Sequence, residues 1–211
     1  MAGLLSNYNH LKGNLEELGV VSFSANLDFY LDCIAKGEKN VVDSLYEMTE
    51  KEKSLRSDRQ KQYTVKTAGF PFFKTIDDFD FSYQPSINRK EIDDYCSLRF
   101  VENQENIVLV GSCGVRKTHL AIAIATIAAM NHYSTYFISM QDLIAQLKKA
   151  EDENRLDIRL KHFLKYKVLV IDEVGYLNMD EKSANLFFQL VSKRYEKKST
   201  ILTTNRSLDQ W

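Results

Sequence analysis

The chain has 211 residues, 44% hydrophobic and 27% charged, with a formal net charge of −1 from 28 Lys and Arg against 29 Asp and Glu. That length exceeds one domain of roughly 100 to 150 residues and predicts a main domain with a small companion. The composition reads as soluble and globular; no run approaches the roughly 18 apolar residues of a membrane span, and the near-neutral charge leaves any nucleic-acid binding to local basic patches.

The N-terminal "MAGLLSNYNHLKGNLEELG" has no apolar core followed by a small-residue cleavage site, so no signal peptide is expected. Cys33, Cys96 and Cys113 stand far apart, without metal-ligand or disulfide spacing, which points to a reducing cytoplasm. Leu4, Tyr8, Leu11, Leu15 and Leu18 recur at helical spacing up to a break at Gly19. Ser24 and Asn40 are expected N-caps of two further helices, the second running through Val42, Leu45 and Tyr46. That helix continues into "EKEKSLRSDRQKQYTVK", where Lys51, Lys53, Arg56, Arg59, Lys61 and Lys66 outnumber Glu50, Glu52 and Asp58. Such a run suits a solvated helix face as well as one that meets phosphates.

"AGFPFFKTIDDFDFSYQP" follows, a Gly-Phe-Pro break with Phe70, Phe72, Phe73, Phe79 and Phe81. The domain boundary is expected near Gly69, giving a helical part at 1–69 and a second domain at 70–211. A helix is predicted from Asn88 to Phe100, a buried strand at Asn106–Val110 and an apolar helix at Lys117–Met130. Further strands are predicted at Ser134–Ser139, Lys167–Asp172 and Ser199–Thr204, separated by helical segments at 140–164 and 181–197. Strands alternating with helices imply an α/β fold with a parallel sheet and a site at its strand ends.

"GSCGVRKT" at that first strand end matches the phosphate-loop pattern GxxxxGK[ST] at Gly111, Lys117 and Thr118, with Arg116 where the second glycine belongs. In such a loop the backbone N–H groups of Gly111, Ser112, Cys113, Gly114, Val115 and Arg116 surround the β-phosphate, Lys117 reaches the β- and γ-phosphates, and the Thr118 hydroxyl holds Mg²⁺. His119 follows in the same stretch, where helix-start packing is expected of it instead of catalysis. Arg116 in a glycine conformation costs on the order of 1 to 3 kcal/mol. A lysine-threonine pair also suits an ordinary helix start, so the loop does not stand alone. "KVLVIDEVGYL" brings Asp172 and Glu173 to the end of a second strand, where they could hold Mg²⁺ and polarise an attacking water or simply cap a following helix. "STILTTN" ends a third strand in Thr203, Thr204 and Asn205, a polar tip that could orient that water or simply form a turn.

Taken in order, "FPFFKTIDDFDFSYQP", "GSCGVRKTHLAIAIA", "YKVLVIDEVGYL" and "FFQLVSKRYEKKSTILTTN" make the chain resemble the IstB-like ATP-binding proteins, helper ATPases of insertion-sequence transposition related to DnaC-type helicase loaders within the AAA+ class. The resemblance implies an AAA+ core behind a small helical DNA-binding domain, with ATP and Mg²⁺ as cofactors. It makes Lys117 and Thr118 Walker A residues, Asp172 and Glu173 Walker B residues, and Asn205 the sensor. It further implies ATP hydrolysis, homo-oligomeric assembly on DNA through Lys51, Lys53, Arg56, Arg59 and Lys61, and delivery of a transposase. Two alternatives stay open: a helicase loader, whose partner is a replicative helicase, and a non-hydrolysing DNA-binding remnant. "GYL" and "SKRYE" favour the transposition helper. Relatives are expected to continue past Trp211 into a lid with an arginine finger, so Arg116 and the position of the last residue both point to weakened hydrolysis.

Overall fold

In the computed structural model, which describes residues 2–83, 87–175 and 180–206, the strand-like runs pair into one parallel sheet. β1 (Ile107–Val110), β2 (Thr135–Ser139), β3 (Val168–Asp172) and β4 (Ser199–Thr204) lie in the order β1-β4-β3-β2. β3 and β4 are buried along their whole length, as central strands covered on both faces must be. The two-residue period of a strand sorts their side chains. Val168, Val170 and Ile201 join Ile122 and Ile124 in one core cluster, while Leu169, Ile171 and Leu202 join Leu143, Phe163 and Leu190 in the other.

The first of these clusters belongs to α6 (Lys117–Met130), buried from Leu120 to Thr126. Its alanines at 121, 123, 125 and 128 let it lie close against the sheet. α7 (Met140–Asp152), α8 (Leu156–Leu164) and α9 (Glu181–Arg194) cover the opposite face, completing the three layers of an α/β domain. Ser139 caps α7 by accepting the Asp142 N–H at 3.0 Å, and Asp180 caps α9 by accepting the Ser183 N–H at 2.9 Å.

Two predicted helices are each divided. The 140–164 segment turns at Asn154, which takes the left-handed φ of 53° that asparagine tolerates better than most residues. The Asn88–Phe100 segment becomes α4 (Arg89–Cys96) and α5 (Arg99–Glu102), with Leu98 at φ 66° between them. The break turns Leu98, Phe100 and Val101 into the core cluster over which α6 lies.

Contacts separate the chain into two compact units, Met1–Lys61 and Gln62–Trp211. The first unit holds α1 (Ala2–Glu17), α2 (Val21–Ala35) and the N-terminal part of α3 (Val41–Ala68), around a small core of Leu15, Leu27, Tyr30 and Met48. Asn40 caps α3, its side chain accepting the Asp43 N–H at 2.8 Å. Ser24 is no cap: it lies inside α2, whose start at Val21 has no side-chain cap of its own. The carboxylate of buried Glu52, on α3, accepts the Ser22 N–H at 2.8 Å and supplies the missing partner to that helix end. The α3 helix ends at Ala68, with Gly69 in the turn that follows. Tyr176, Leu177 and Trp211 lie outside the described residues.

Arg194, near the end of α9, is among the largest fully buried side chains, and among the described residues no carboxylate pairs with it. Its guanidinium donates instead to Thr200 Oγ1 at 3.0 Å and to the carbonyls of Phe163 at 2.9 Å, Tyr166 at 3.0 Å and Ser199 at 2.6 Å. One side chain thereby ties α9 to the end of α8 and the start of β4. Burial pushes the guanidinium down to about 10, which leaves it charged at neutral pH.

Candidate functional site

The strand order decides where the chemistry gathers. β4 lies between β1 and β3, with Leu109 beside Thr203 and Val110 beside Thr204 in register. The carboxyl ends of β1, β4 and β3 are thus neighbours, and the loop after β1, the tip of β4 and the acids after β3 open on one edge of the sheet. Parallel α/β sheets bind ligands at this edge.

Gly111 begins the loop and extends the ladder, donating its N–H to Thr204 O at 3.2 Å. Arg116 ends it at φ 63° and ψ 29°, the left-handed conformation a glycine takes without strain. Arg116 provides no side-chain cap to α6. The positive end of that helix, with its first N–H groups, faces the loop. The Lys117 ammonium lies across the loop, donating to the Gly111 and Ser112 carbonyls at 2.7 Å each. Thr118 Oγ1 donates to both carboxylate oxygens of Asp172, at 2.9 and 3.0 Å. Asp172 is itself only 6% exposed.

Behind this pair stands Thr203, 1% exposed. Its hydroxyl donates to Asp172 Oδ1 in a short hydrogen bond and accepts the Glu173 N–H at 2.9 Å. Glu173 holds a φ of 63°. Val174 then donates its N–H to Thr203 O at 2.9 Å, which carries the β3–β4 pairing one step past the strand end. At Gly175 a side chain has no room: a Cβ would stand 2.3 Å from Asn205 Oδ1 and 2.8 Å from Thr204 Oγ1. The backbone after the acids and the tip of β4 therefore lie in contact.

Arg116, Lys117, Thr118, Glu173, Thr203 and Thr204 line a cleft of about 240 Å³. Cys113 and Gly114 close the loop side. Ser112 and Val115 line the neighbouring pocket instead, together with Ile92 and Leu120. Asn205 is exposed beside Gly175. His119 turns away from the cleft: its Nε2 is 3.3 Å from Thr75 O, and its ring meets Phe79 edge-on at 5.3 Å. Burial lowers the His119 pKa below its ordinary value despite the Thr75 carbonyl. The residue thus clasps the segment after α3 onto α6.

The donor set suits one kind of cation. Thr118 and Asp172 offer hard oxygens, too few for a self-sufficient cage, and among the described residues no three His, Cys, Asp or Glu side chains form a metal cluster. Mg²⁺ is held in this way, by one or two protein oxygens with phosphate and water completing its shell. A positive helix end, a lysine, a carboxylate and a hydroxyl around 240 Å³ fit a polyphosphate with a divalent cation.

The basic run lies on α3. Lys53 pairs with Glu50 at 2.7 Å, Arg56 with Glu52 at 2.9 Å and Lys61 with Asp58 at 3.6 Å. Lys51 stands 5.0 Å from the Tyr30 ring centroid. Arg56 differs from its companions because Glu52 holds the start of α2; the Arg56 guanidinium, followed by the Ser22 N–H, keeps that carboxyl below its ordinary pKa. No described helix is long and apolar enough to cross a membrane.

Comparison with known proteins places these features among relatives. The family described as IstB-like ATP binding protein matches residues 14–211. A protein named for ATP binding in insertion sequence IS232 of Bacillus thuringiensis subsp. berliner is 48% identical over 98% of this chain and 82% of its own length. A counterpart in insertion sequence IS21 of Pseudomonas aeruginosa is 40% identical over 93% of this chain and 74% of its own. Among solved structures, the DnaC helicase loader is 30% identical with a TM-score of 0.53, covering 69% of this chain and 80% of that one. AMPPCP-bound DnaA from Aquifex aeolicus shares the fold at 21% identity and a TM-score of 0.56, over 64% of this chain and 43% of that one.

Proposed function

The chain belongs to the IstB-like ATP-binding proteins and has their AAA+ fold, and from that premise we propose that it is a Mg²⁺-dependent ATPase that assembles on DNA as a transposition helper. The observation that carries the reading is the Thr118 hydroxyl set against the Asp172 carboxylate at 2.9 and 3.0 Å, one residue after Lys117. Backbone N–H groups from Gly111 to Thr118 and the α6 N-terminus bind the β-phosphate. Lys117 exchanges its loop carbonyls for β- and γ-phosphate oxygens. Thr118 and Asp172 hold Mg²⁺, which neutralises charge on the phosphoryl group. Glu173 polarises the attacking water, and Asn205, at the tip of β4, senses the γ-phosphate.

In this reading residues 1–69 form the DNA-binding domain and 70–211 the ATP-binding core. DNA phosphates meet Lys51, Lys53, Arg56, Arg59 and Lys61, homo-oligomers form along the duplex, and the complex delivers a transposase. The likeness to the DnaC helicase loader favours one alternative, a replicative helicase as partner. Pull-down from the host separates the two: recovery of a transposase supports the first reading and recovery of a helicase the second.

The DNA assignment is tested by titrating duplex DNA at several salt concentrations, with and without ATP and Mg²⁺. Each lost phosphate contact should flatten the log–log salt slope by about 0.9. The variant reverses Lys51, Lys53, Arg59 and Lys61 to Glu and spares Arg56, whose loss would also release Glu52 from the start of α2. An unchanged slope removes α3 from the DNA interface, and binding indifferent to ATP removes the coupling.

Arg116 gives a separate expectation. Its backbone already holds the left-handed conformation, so the strain of about 1 to 2 kcal/mol falls on the folded loop. Glycine relieves it but gains about 0.4 to 1 kcal/mol of unfolded-chain freedom. Arg116→Gly should therefore raise unfolding stability by about 0 to 1.6 kcal/mol in urea denaturation. Tighter ATP binding without any gain in stability would show that the strain is met only on binding.

A further inference from the structure

The geometry points to Thr203 as a positioning residue of the ATP site, one hydroxyl that fixes the magnesium-holding carboxylate of Asp172 and the backbone of Glu173 together. The assignment rests on the ATP–Mg²⁺ reading of the cleft and deepens it. A threonine hydroxyl has one proton to give and lone pairs to accept with. Thr203 uses the proton on Asp172 Oδ1 and a lone pair on the Glu173 N–H at 2.9 Å.

Each bond constrains a different group. The donated bond orients the carboxylate whose other partner is Thr118, and a carboxylate held from two sides keeps its oxygens aimed at one cation position. The accepted bond fixes the peptide between Asp172 and Glu173. Glu173 has a φ of 63°, a backbone that a non-glycine residue keeps only where its surroundings hold it. In that conformation Glu173 lines the same cleft as Lys117 and Thr118. The same threonine accepts the Val174 N–H through its carbonyl at 2.9 Å, so its position is set by the sheet and not by a loop. Register places Leu109 of β1 beside Thr203, so the positioning group belongs to the strand that separates the phosphate loop from the acids. Sites built on strands are held more closely than sites built on loops.

Thr203→Val keeps the shape and deletes both bonds, while Thr203→Ser keeps the hydroxyl. Binding of ATP is titrated against Mg²⁺ in the full chain, and turnover is measured alongside. Loss of an outer partner of this kind typically costs about 10- to 100-fold in metal affinity or activity. Thr203→Val should raise half-saturating Mg²⁺ and lower kcat by that order, with little change in ATP affinity measured in EDTA, and Thr203→Ser should recover most of the loss. Amide hydrogen exchange gives a readout independent of nucleotide: in Thr203→Val the Glu173 amide should lose protection while the Val174 amide keeps it. A valine variant that matches the parent in Mg²⁺ dependence and in Glu173 exchange overturns the assignment, as does a serine variant that falls as far as valine. A parent whose ATP binding ignores Mg²⁺ overturns the phosphate-site reading itself, an outcome distinct from the other two.

Discussion

Glu173→Gln is expected to bind ATP as tightly as the parent and to hydrolyse it about 10²- to 10⁴-fold more slowly, the usual worth of a positioned acid-base group. Glu173 lines the same cleft as Lys117 and Thr118. The groups proposed to hold phosphate belong to the loop and the first turn of α6. Glutamine preserves the size of the side chain and its reach, and its backbone N–H can still donate to Thr203, so the local conformation survives. What is lost is the negative charge to which the proposed role assigns the drawing of a proton from water. Calorimetric titration with ATP and Mg²⁺, followed by phosphate release under saturation, separates the two effects. Equal turnover by parent and variant would remove Glu173 from its role and favour the non-hydrolysing reading. A matching loss of affinity would place Glu173 among the groups that hold the nucleotide.

The largest stability effect is expected away from the cleft, at Arg194. Arg194→Met fills most of the same volume and relieves the burial of a charge, but it takes the donor from Thr200 Oγ1 and the Phe163 and Tyr166 carbonyls, and from the Ser199 carbonyl, which keeps its ladder partner on β3. Each buried acceptor left without a partner costs about 1 to 3 kcal/mol before relaxation. The relieved desolvation recovers part of this, because removing a buried charge is favourable in itself. The acceptors outnumber the single charge, and the net loss should be roughly 2 to 4 kcal/mol in urea denaturation. Arg194→Lys should rescue little: an ammonium is a compact donor and cannot span acceptors that the guanidinium fork reaches in several directions. A methionine variant as stable as the parent would mean that these carbonyls find water or other donors without it.

These residues show what pattern reading reaches and where it stops. α6 and β4 begin and end where the apolar runs do, at Lys117–Met130 and Ser199–Thr204, because both elements are buried almost all round and leave no polar face to blur the limits. The residues that meet in the cleft were likewise readable as a loop and two strand tips. Contacts between elements distant in sequence were not. Ser24 has the chemistry of a cap, yet the start of α2 is served by Glu52 from another helix. Leu98 carries no turn signal, and its left-handed backbone follows from the need to bury Phe100 and Val101. Thr203 could be read as a polar tip, but its bonds to Asp172 and Glu173 depend on the strand order. Arg194 sits in a charged run that resembles a solvated helix end, and only the packing of α8 and β4 around it shows otherwise.

The strand order also governs how the molecule comes into being. β4, which follows the other three strands in sequence, lies between β1 and β3, and among the described residues β1 pairs with β4 alone. The Asn106 side chain, just before β1, accepts the Thr200 N–H from 94 residues later in the chain. On the ribosome, β1 and its phosphate loop emerge first and wait, their hydrogen-bonding edge unmatched, until Ser199–Thr204 has been made. Closing so long a loop delays the reward of pairing and makes such topologies slow to fold. The loop, the acids and the threonine between them thus come together in a single event once β4 has been made, and a nascent chain holds the parts of the cleft long before it holds the cleft.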